Sequence, residues 1–161
     1  MTAVMAVLAA VSGCAGTAEP SSGPASPTAT STLLSDPDRY ARELEDGVDA
    51  ARESFDQPAL AHDECAERAA LGRAEALVGA DELEHAPLDD VLAACGAGRA
   101  GENLSRSARP ASAVVAAWLD SAGHAANIRN DGYDRGAVAC VRDAEATTSP
   151  ELVCSHVFLG P

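Results

Sequence analysis

The chain contains no lysine. All eleven of its basic residues are arginine, against 25 acidic ones, for a formal charge of −14 over 161 residues. A surface so short of positive charge repels phosphate backbones and anionic lipid heads, which argues against nucleic acid as a partner and leaves cations and cationic peptides open. Aromatic residues make up only 3%, although 47% of the chain is apolar. The core must therefore be built from Ala, Val and Leu, which favours closely packed helices and a Val-rich sheet over a large aromatic pocket. No C-x-x-C pair occurs, so a zinc ribbon ranks low. The length is enough for one domain with a real core and not for two.

Long apolar runs are also missing. Ala3 to Val11 is uncharged and apolar, but about ten residues fall short of the roughly 20 that span a bilayer. The run fits the apolar region of a signal peptide, without the basic residues that usually precede one. Val11-Ser12-Gly13-Cys14 resembles a bacterial lipobox, which implies acylation of the Cys14 thiol. Residues 15–35 hold Pro20, Pro24 and Pro27 among Ser, Thr, Ala and Gly. That composition buries too little to fold and reads as a linker. Residues 1–14 are thus expected to be a signal peptide, 15–35 a disordered tether, and 36–161 one folded domain. Apart from Cys14, four cysteines remain (Cys65, Cys95, Cys140, Cys154), an even number suited to an oxidising compartment. They permit three pairings, and spacing alone does not choose.

Asp36-Pro37 is an N-cap followed by Pro at the first helical position. Tyr40, Leu44, Val48, Ala51 and Phe55 follow as one apolar stripe, and Pro58 ends the helix. A second helix is expected from near Asp63 to Gly79, with Cys65, Ala69, Gly72 and Ala76 on a face able to lie close to a neighbour. A short helix follows Pro87 up to Cys95, glycines punctuate 96–101, and Pro110 opens a helix that buries Val114, Val115 and Trp118. The period then changes. Gly136–Arg142 and Glu151–Leu159 are Val-containing runs separated by a polar stretch, a hairpin pattern with no cleanly polar face. Antiparallel pairing would set Cys140 beside Cys154, worth about 3 kcal/mol of chain entropy. Cys65 would then pair with Cys95. Helices on both faces of a small antiparallel sheet give an α/β fold, an α-β-α three-layer sandwich.

One ordered array of polar residues remains. His85 precedes Gly101-Glu102-Asn103, and Trp118-x-x-Ser121-x-x-His124-x-x-Asn127 comes after. With Gly136-Ala137-Val138 and Val157-Phe158-Leu159-Gly160 closing the chain, residues 40–160 resemble the CAP (SCP-like) superfamily of cysteine-rich secretory proteins, antigen 5 and pathogenesis-related 1 proteins. The likeness is to its bacterial version. It implies that His85, Glu102 and His124 converge in one surface cleft. Animal relatives carry a second Glu where Ser121 stands here, and Asp120 beside it points elsewhere on a helix.

Two imidazoles and a carboxylate are enough to hold a zinc ion with an open position. The same groups serve proton transfer or a structural hydrogen-bonded cluster equally well. Ser121 next to His124 has the look of a nucleophile, but it stands where a helix begins, and an N-cap role is expected. Asn103 and Asn127 are read as ties between backbone loops, Trp118 as core, and His62 as exposed. His156 either lines the cleft or is a buried, hydrogen-bonded histidine. The function expected is an exported, lipid-anchored, monomeric binding module at the cell surface, whose His/Glu cleft takes a peptide, a small lipid, another surface ligand or a divalent metal, zinc foremost. A metal-assisted protease and a lipid carrier are the alternatives. The short acid set counts against the first, and the scarcity of large apolar residues against the second.

Overall fold

The Asp36 carboxylate accepts the Arg39 N–H at 3.0 Å and Pro37 opens the helix, so α1 (Pro37–Ser54) starts where its cap residues dictate. A computed structural model describes residues 34–144 and 150–161 of the chain. The signal peptide, Cys14 and nearly all of the expected tether lie outside the described residues. Leu34, at the tether's end, is buried in the core.

Tyr40, Leu44, Val48 and Ala51 line the buried side of α1. Phe55, expected to continue the stripe, instead sits at the helix C-cap with its ring under the Arg129 guanidinium, 4.5 Å away. The helix therefore stops before Pro58 is reached, and Asp56 turns the chain with φ of 59°. Arg52, at the end of α1, is fully buried, and its guanidinium donates to the carbonyls of Pro58, Ile128, Asn130 and Tyr133. One buried cation thus gathers three loop segments, its charge solvated by carbonyl dipoles.

The two-residue strand β1 (Ala61–His62) leads to α2 (Glu64–Ala76), capped by the Asp63 carboxylate on the Ala66 N–H at 2.8 Å. The face that α2 lays on the sheet is Ala66, Ala70 and Ala74, all at 0% exposure. The expected face of Cys65, Ala69, Gly72 and Ala76 is turned a third of the way round and looks into a cavity towards α3 (Asp89–Cys95). Gly96, at φ 58°, closes α3 in the left-handed region. Residues 99–107, where only glycine punctuation was read, form the strand β2 (Arg99–Ser107). Then come α4 (Ala111–Asp120), α5 (Ala122–Ile128) and the antiparallel pair β3 (Arg135–Asp143) and β4 (Glu151–Gly160).

The sheet order is β1-β3-β4-β2, with β1 parallel to β3 and the other pairs antiparallel. Side chains alternate between the faces. Val138, Cys140, Cys154 and Phe158 pack with α1, α4 and α5 on one side. Ala137, Ala139, Val157 and Leu159 pack with α2 and α3 on the other. This is the three-layer sandwich expected. Cys140 lies opposite Cys154 and is bonded to it, and Cys65–Cys95 staples α2 to α3.

Candidate functional site

The candidate site forms at the β2 edge of the sheet. Gly101 sits there because a side chain cannot: a Cβ would lie 2.5 Å from the Tyr133 hydroxyl and 2.8 Å from Asn127 Oδ1. Glu102 follows, opposite Val157 and on the α2 side of the sheet. Its carboxylate is 2% exposed and fully engaged. Oε1 accepts from Arg73 Nε at 2.5 Å and from the Ser155 hydroxyl at 2.9 Å; Oε2 accepts from His85 Nδ1 at 2.8 Å and from Arg73 Nη2 at 3.4 Å. Burial alone would push this carboxyl upward. The hydrogen bonds from Arg73, His85 and Ser155, with the Arg73 charge, outweigh it and hold the group below the usual carboxylate range.

Arg73 was not singled out in the sequence, yet it organises the site. Beyond Glu102 it donates to the carbonyls of Ala86 and Pro87, fixing the loop that carries His85. The signal was its place beside Ala69, Gly72 and Ala76, a charge on a stripe of small residues. Ser155, the other unforeseen partner, faces Glu102 from β4.

On the far side of β2, Asn103 Nδ2 donates to the His124 carbonyl, and Asn127 Nδ2 donates to both the Glu102 carbonyl and Asn103 Oδ1. Trp118, 2% exposed, donates from Nε1 to the Leu104 carbonyl at 2.9 Å. Alternation along β2 turns the carbonyls of residues 102 and 104 away from β4. Asn127 and Trp118 therefore cap the open side of an edge strand. Ser121 stands at the N-cap position of α5 but makes no side-chain capping bond.

What faces solvent is a cleft of about 320 Å³ lined by His85, Leu88, Glu102, Ser121, His124 and Asn127 among others. The His85 and His124 rings lie 6.3 Å apart, centre to centre. Burial, and then the neighbouring His85, lower the His124 pKa, so its imidazole is neutral at pH 7. A three-residue zinc site does not fit. Glu102 has spent its oxygens on four donors, and His85 has turned Nδ1 to it. Among the described residues no group of three His, Cys, Asp or Glu is placed to hold a metal. Beside the cleft, and sharing Ala86 and Glu102 with it, a cavity of about 570 Å³ opens between α2 and α3.

The other two histidines lie elsewhere. His62 is exposed between Glu45 and Glu67. His156 is buried on the α1 side of the sheet, stacked on Phe158 with ring centres 3.8 Å apart. It does not line the cleft, and it departs from the hydrogen-bonded histidine expected: Nδ1 has no partner.

Residues 46–158 match the family model "CAP: Cysteine-rich secretory protein family". A search of curated proteins finds no match. Among solved structures, the chain is similar to an extracellular SCP-domain protein of Bacillus anthracis (20% identity over 87% of this chain and 45% of that one, TM-score 0.63). It is also similar to a cysteine-rich secretory protein of Staphylococcus aureus (15% identity, 78% and 40% covered, TM-score 0.66). A third likeness is to an outer surface protein of Borrelia burgdorferi (16% identity, 86% and 98% covered, TM-score 0.59). The chain spans less than half the length of the first two. At these identities the likeness is one of fold.

Proposed function

The chain belongs to the cysteine-rich secretory protein (CAP) family, and on that premise we propose that it is an exported, lipid-anchored, monomeric binding module of a bacterial cell surface. Its cleft between His85 and His124 receives a ligand and does not transform it. The observation that carries this reading is the state of Glu102. A carboxylate with four donors on its two oxygens is a structural post, with no lone pair free to ligate a metal or take up a proton. Export is supported by the two disulfides and by the lipobox-like Val11-Ser12-Gly13-Cys14. The extracellular and outer-surface character of two proteins of similar fold agrees with it. The ligand class is a peptide or other surface ligand that places a hydrogen-bonding group between two imidazoles.

Zinc titration by calorimetry tests the core of this reading on the full-length chain. A divalent ion here has two imidazoles to bind and no acid, so weak binding unchanged by Glu102→Gln is expected. Tight binding that disappears in Glu102→Gln, or zinc-stimulated cleavage of casein, would overturn it. For the anchor, mass spectrometry of membrane fractions should show acylation that Cys14→Ser abolishes.

The cavity between α2 and α3 favours one second reading, a small-lipid carrier. Its apolar wall includes Ala69, Gly72, Ala76, Val91 and Ala94, small side chains that leave it open, with Arg68, Arg73, Glu84, Asp90 and Glu102 as its polar groups. At about 570 Å³ it is within the range of small-molecule sites. Displacement of cis-parinaric acid by palmitate, lost on Ala94→Trp, is the expected sign of that use; no uptake of the probe would remove it.

A further inference from the structure

The two edges of the sheet are treated differently. On β2 the outward carbonyls of Glu102 and Leu104 are capped by Asn127 and Trp118. On β3 the same alternation turns Gly136, Val138 and Cys140 outward. The Gly136 carbonyl accepts the Asp63 N–H at 3.0 Å, and the Val138 N–H donates to Glu45 Oε1 at 2.7 Å. There the capping ends. β1 pairs only with Arg135 and Gly136, and among the described residues nothing bonds Cys140 on its outward side. Unpaired strand edges are where other chains add. α1 and α2 lie on opposite faces of the sheet. Between them a groove of about 720 Å³ opens on Val138, Ala139 and Cys140, its charged rim formed by Asp38, Glu45 and Glu67 with Arg42 and Arg68. Leu71, one of two large apolar residues exposed among those described, is on its wall.

Next to the groove, sharing Glu45 and His62 with it, lies a smaller cavity of about 90 Å³ lined also by Asp46, Asp49 and His156. His156 is 2% exposed, and its Nδ1 lacks any partner. Burial pushes the carboxyls of Glu45 and Asp49 upward, so these acids are desolvated with no fixed cation sufficient to offset it. The one buried cation nearby, Arg52, has its donors on four carbonyls. Three carboxylates around so small a space ask for a compact hydrogen-bond donor with positive charge. Among the described residues no three are arranged for a metal ion. An ammonium group fits, with space left for about a water molecule or two. A second copy of this chain is a poor source, because it has no lysine and carries a formal charge of −14.

We propose that the groove beside β3 docks an extended, lysine-bearing segment of a partner protein, its main chain bonding Cys140 to extend the sheet and one lysine received by Glu45, Asp46 and Asp49. Main-chain bonds give the attachment and the acid-lined cavity gives the choice of side chain. This is independent of the His85–His124 cleft, which lies at the opposite edge.

The test is fluorescence anisotropy on the full-length protein with a labelled octapeptide of alternating Thr and Lys. A Thr-Glu counterpart and a Thr-Lys peptide N-methylated at every second residue serve as controls. The Thr-Lys peptide should bind, and each control should bind at least roughly tenfold more weakly, the loss expected for one or two hydrogen bonds or a desolvated ion pair. Asp46→Asn with Asp49→Asn should weaken binding by a similar factor at unchanged circular dichroism and Tm, whereas His85→Ala with His124→Ala should leave it unchanged. No binding, equal binding of the acidic or N-methylated peptide, or loss of binding in the histidine variant overturns the proposal. So does displacement of the probe by a synthetic peptide of residues 15–33, or self-association that blocks the site.

Discussion

Replacing Arg73 by Met tests whether Glu102 is a structural post. Met keeps the aliphatic bulk along the small-residue face of α2 and removes the guanidinium. Arg73 is 11% exposed in its side chain and Glu102 2%, with the closest contact at 2.5 Å. Removing one partner of a buried pair costs about 3–5 kcal/mol, chiefly because the surviving charge is stranded. Here His85 and the Ser155 hydroxyl still bind Glu102, and the freed carbonyls of Ala86 and Pro87 belong to exposed residues within reach of water. The lower end applies, about 3 kcal/mol, which is roughly a 10 °C drop in Tm for a domain of this size. Adding Glu102→Gln removes the stranded charge, so the double variant should recover about 2 kcal/mol relative to the sum of the single losses. The pH dependence has a defined sign. In the wild type the Glu102 pKa is depressed, so its stabilisation is complete above the unfolded value of about 4.3 and disappears as pH falls through the folded one. Without Arg73, burial dominates and the carboxyl moves up. The stability gap between Arg73→Met and wild type should therefore narrow as pH falls, first through the variant's raised pKa above about 4.3 and then through the wild type's depressed one below it. Thermal and urea melts by circular dichroism measure all of this. An Arg73→Met protein within about 2 °C of wild type, or strictly additive single losses, would refute the role given to Glu102.

His156, pushed down to about 3 by burial and then by the Arg52 charge, stays neutral in the fold while the unfolded chain takes up its proton. Relative to His156→Phe, the wild type should lose about 2 kcal/mol between pH 7 and 5, because the unfolded value is about 6.5; equal urea-midpoint shifts in both proteins would contradict this. Opening Cys65–Cys95, with a separation of 30, should cost about 3.6 kcal/mol against about 3 for Cys140–Cys154, with a separation of 14. Urea unfolding of the paired Cys→Ser variants checks the order. Trp118→Phe keeps the ring in the core but leaves the Leu104 carbonyl without its donor, a loss of about 1–2 kcal/mol with little change in near-native secondary structure by circular dichroism.

Most of the architecture was legible because its signals are local. Asp36 and Asp63 are caps with carboxylates one turn ahead of the N–H groups they bind. The Val-containing runs around Cys140 and Cys154 carry hairpin and disulfide together. β2 was missed because hydrophobic alternation cannot reveal it. Its buried positions include Gly101, Glu102 and Asn103, and each is made tolerable only by groups distant in sequence: Tyr133 and Asn127 crowding the glycine, Arg73 and Ser155 on the acid, Asn127 on the amide. The face of α2 was misassigned for a related reason. When two adjacent stripes are both dominated by Ala, Gly and Cys, periodicity does not say which stripe meets the sheet. Ala66, Ala70 and Ala74 do, and the other stripe, with Arg73 in it, was the site's own wall.

The array that identifies the family also divides, once placed, into two sets with different duties. Gly101, Asn103, Trp118 and Asn127 give their packing or their hydrogen bonds to β2, and Glu102 gives its charge to Arg73 and its oxygens to Arg73, His85 and Ser155. Losing any of these loosens the edge strand before it touches a ligand. His85, Ser121 and His124 are the members left with surface in the cleft and with polar atoms not consumed by the scaffold. On the binding-module proposal, these three and the cavity next to them are the groups that would distinguish one ligand from another. A variant series confined to them should alter binding at constant Tm, whereas one in the scaffold set should alter both together.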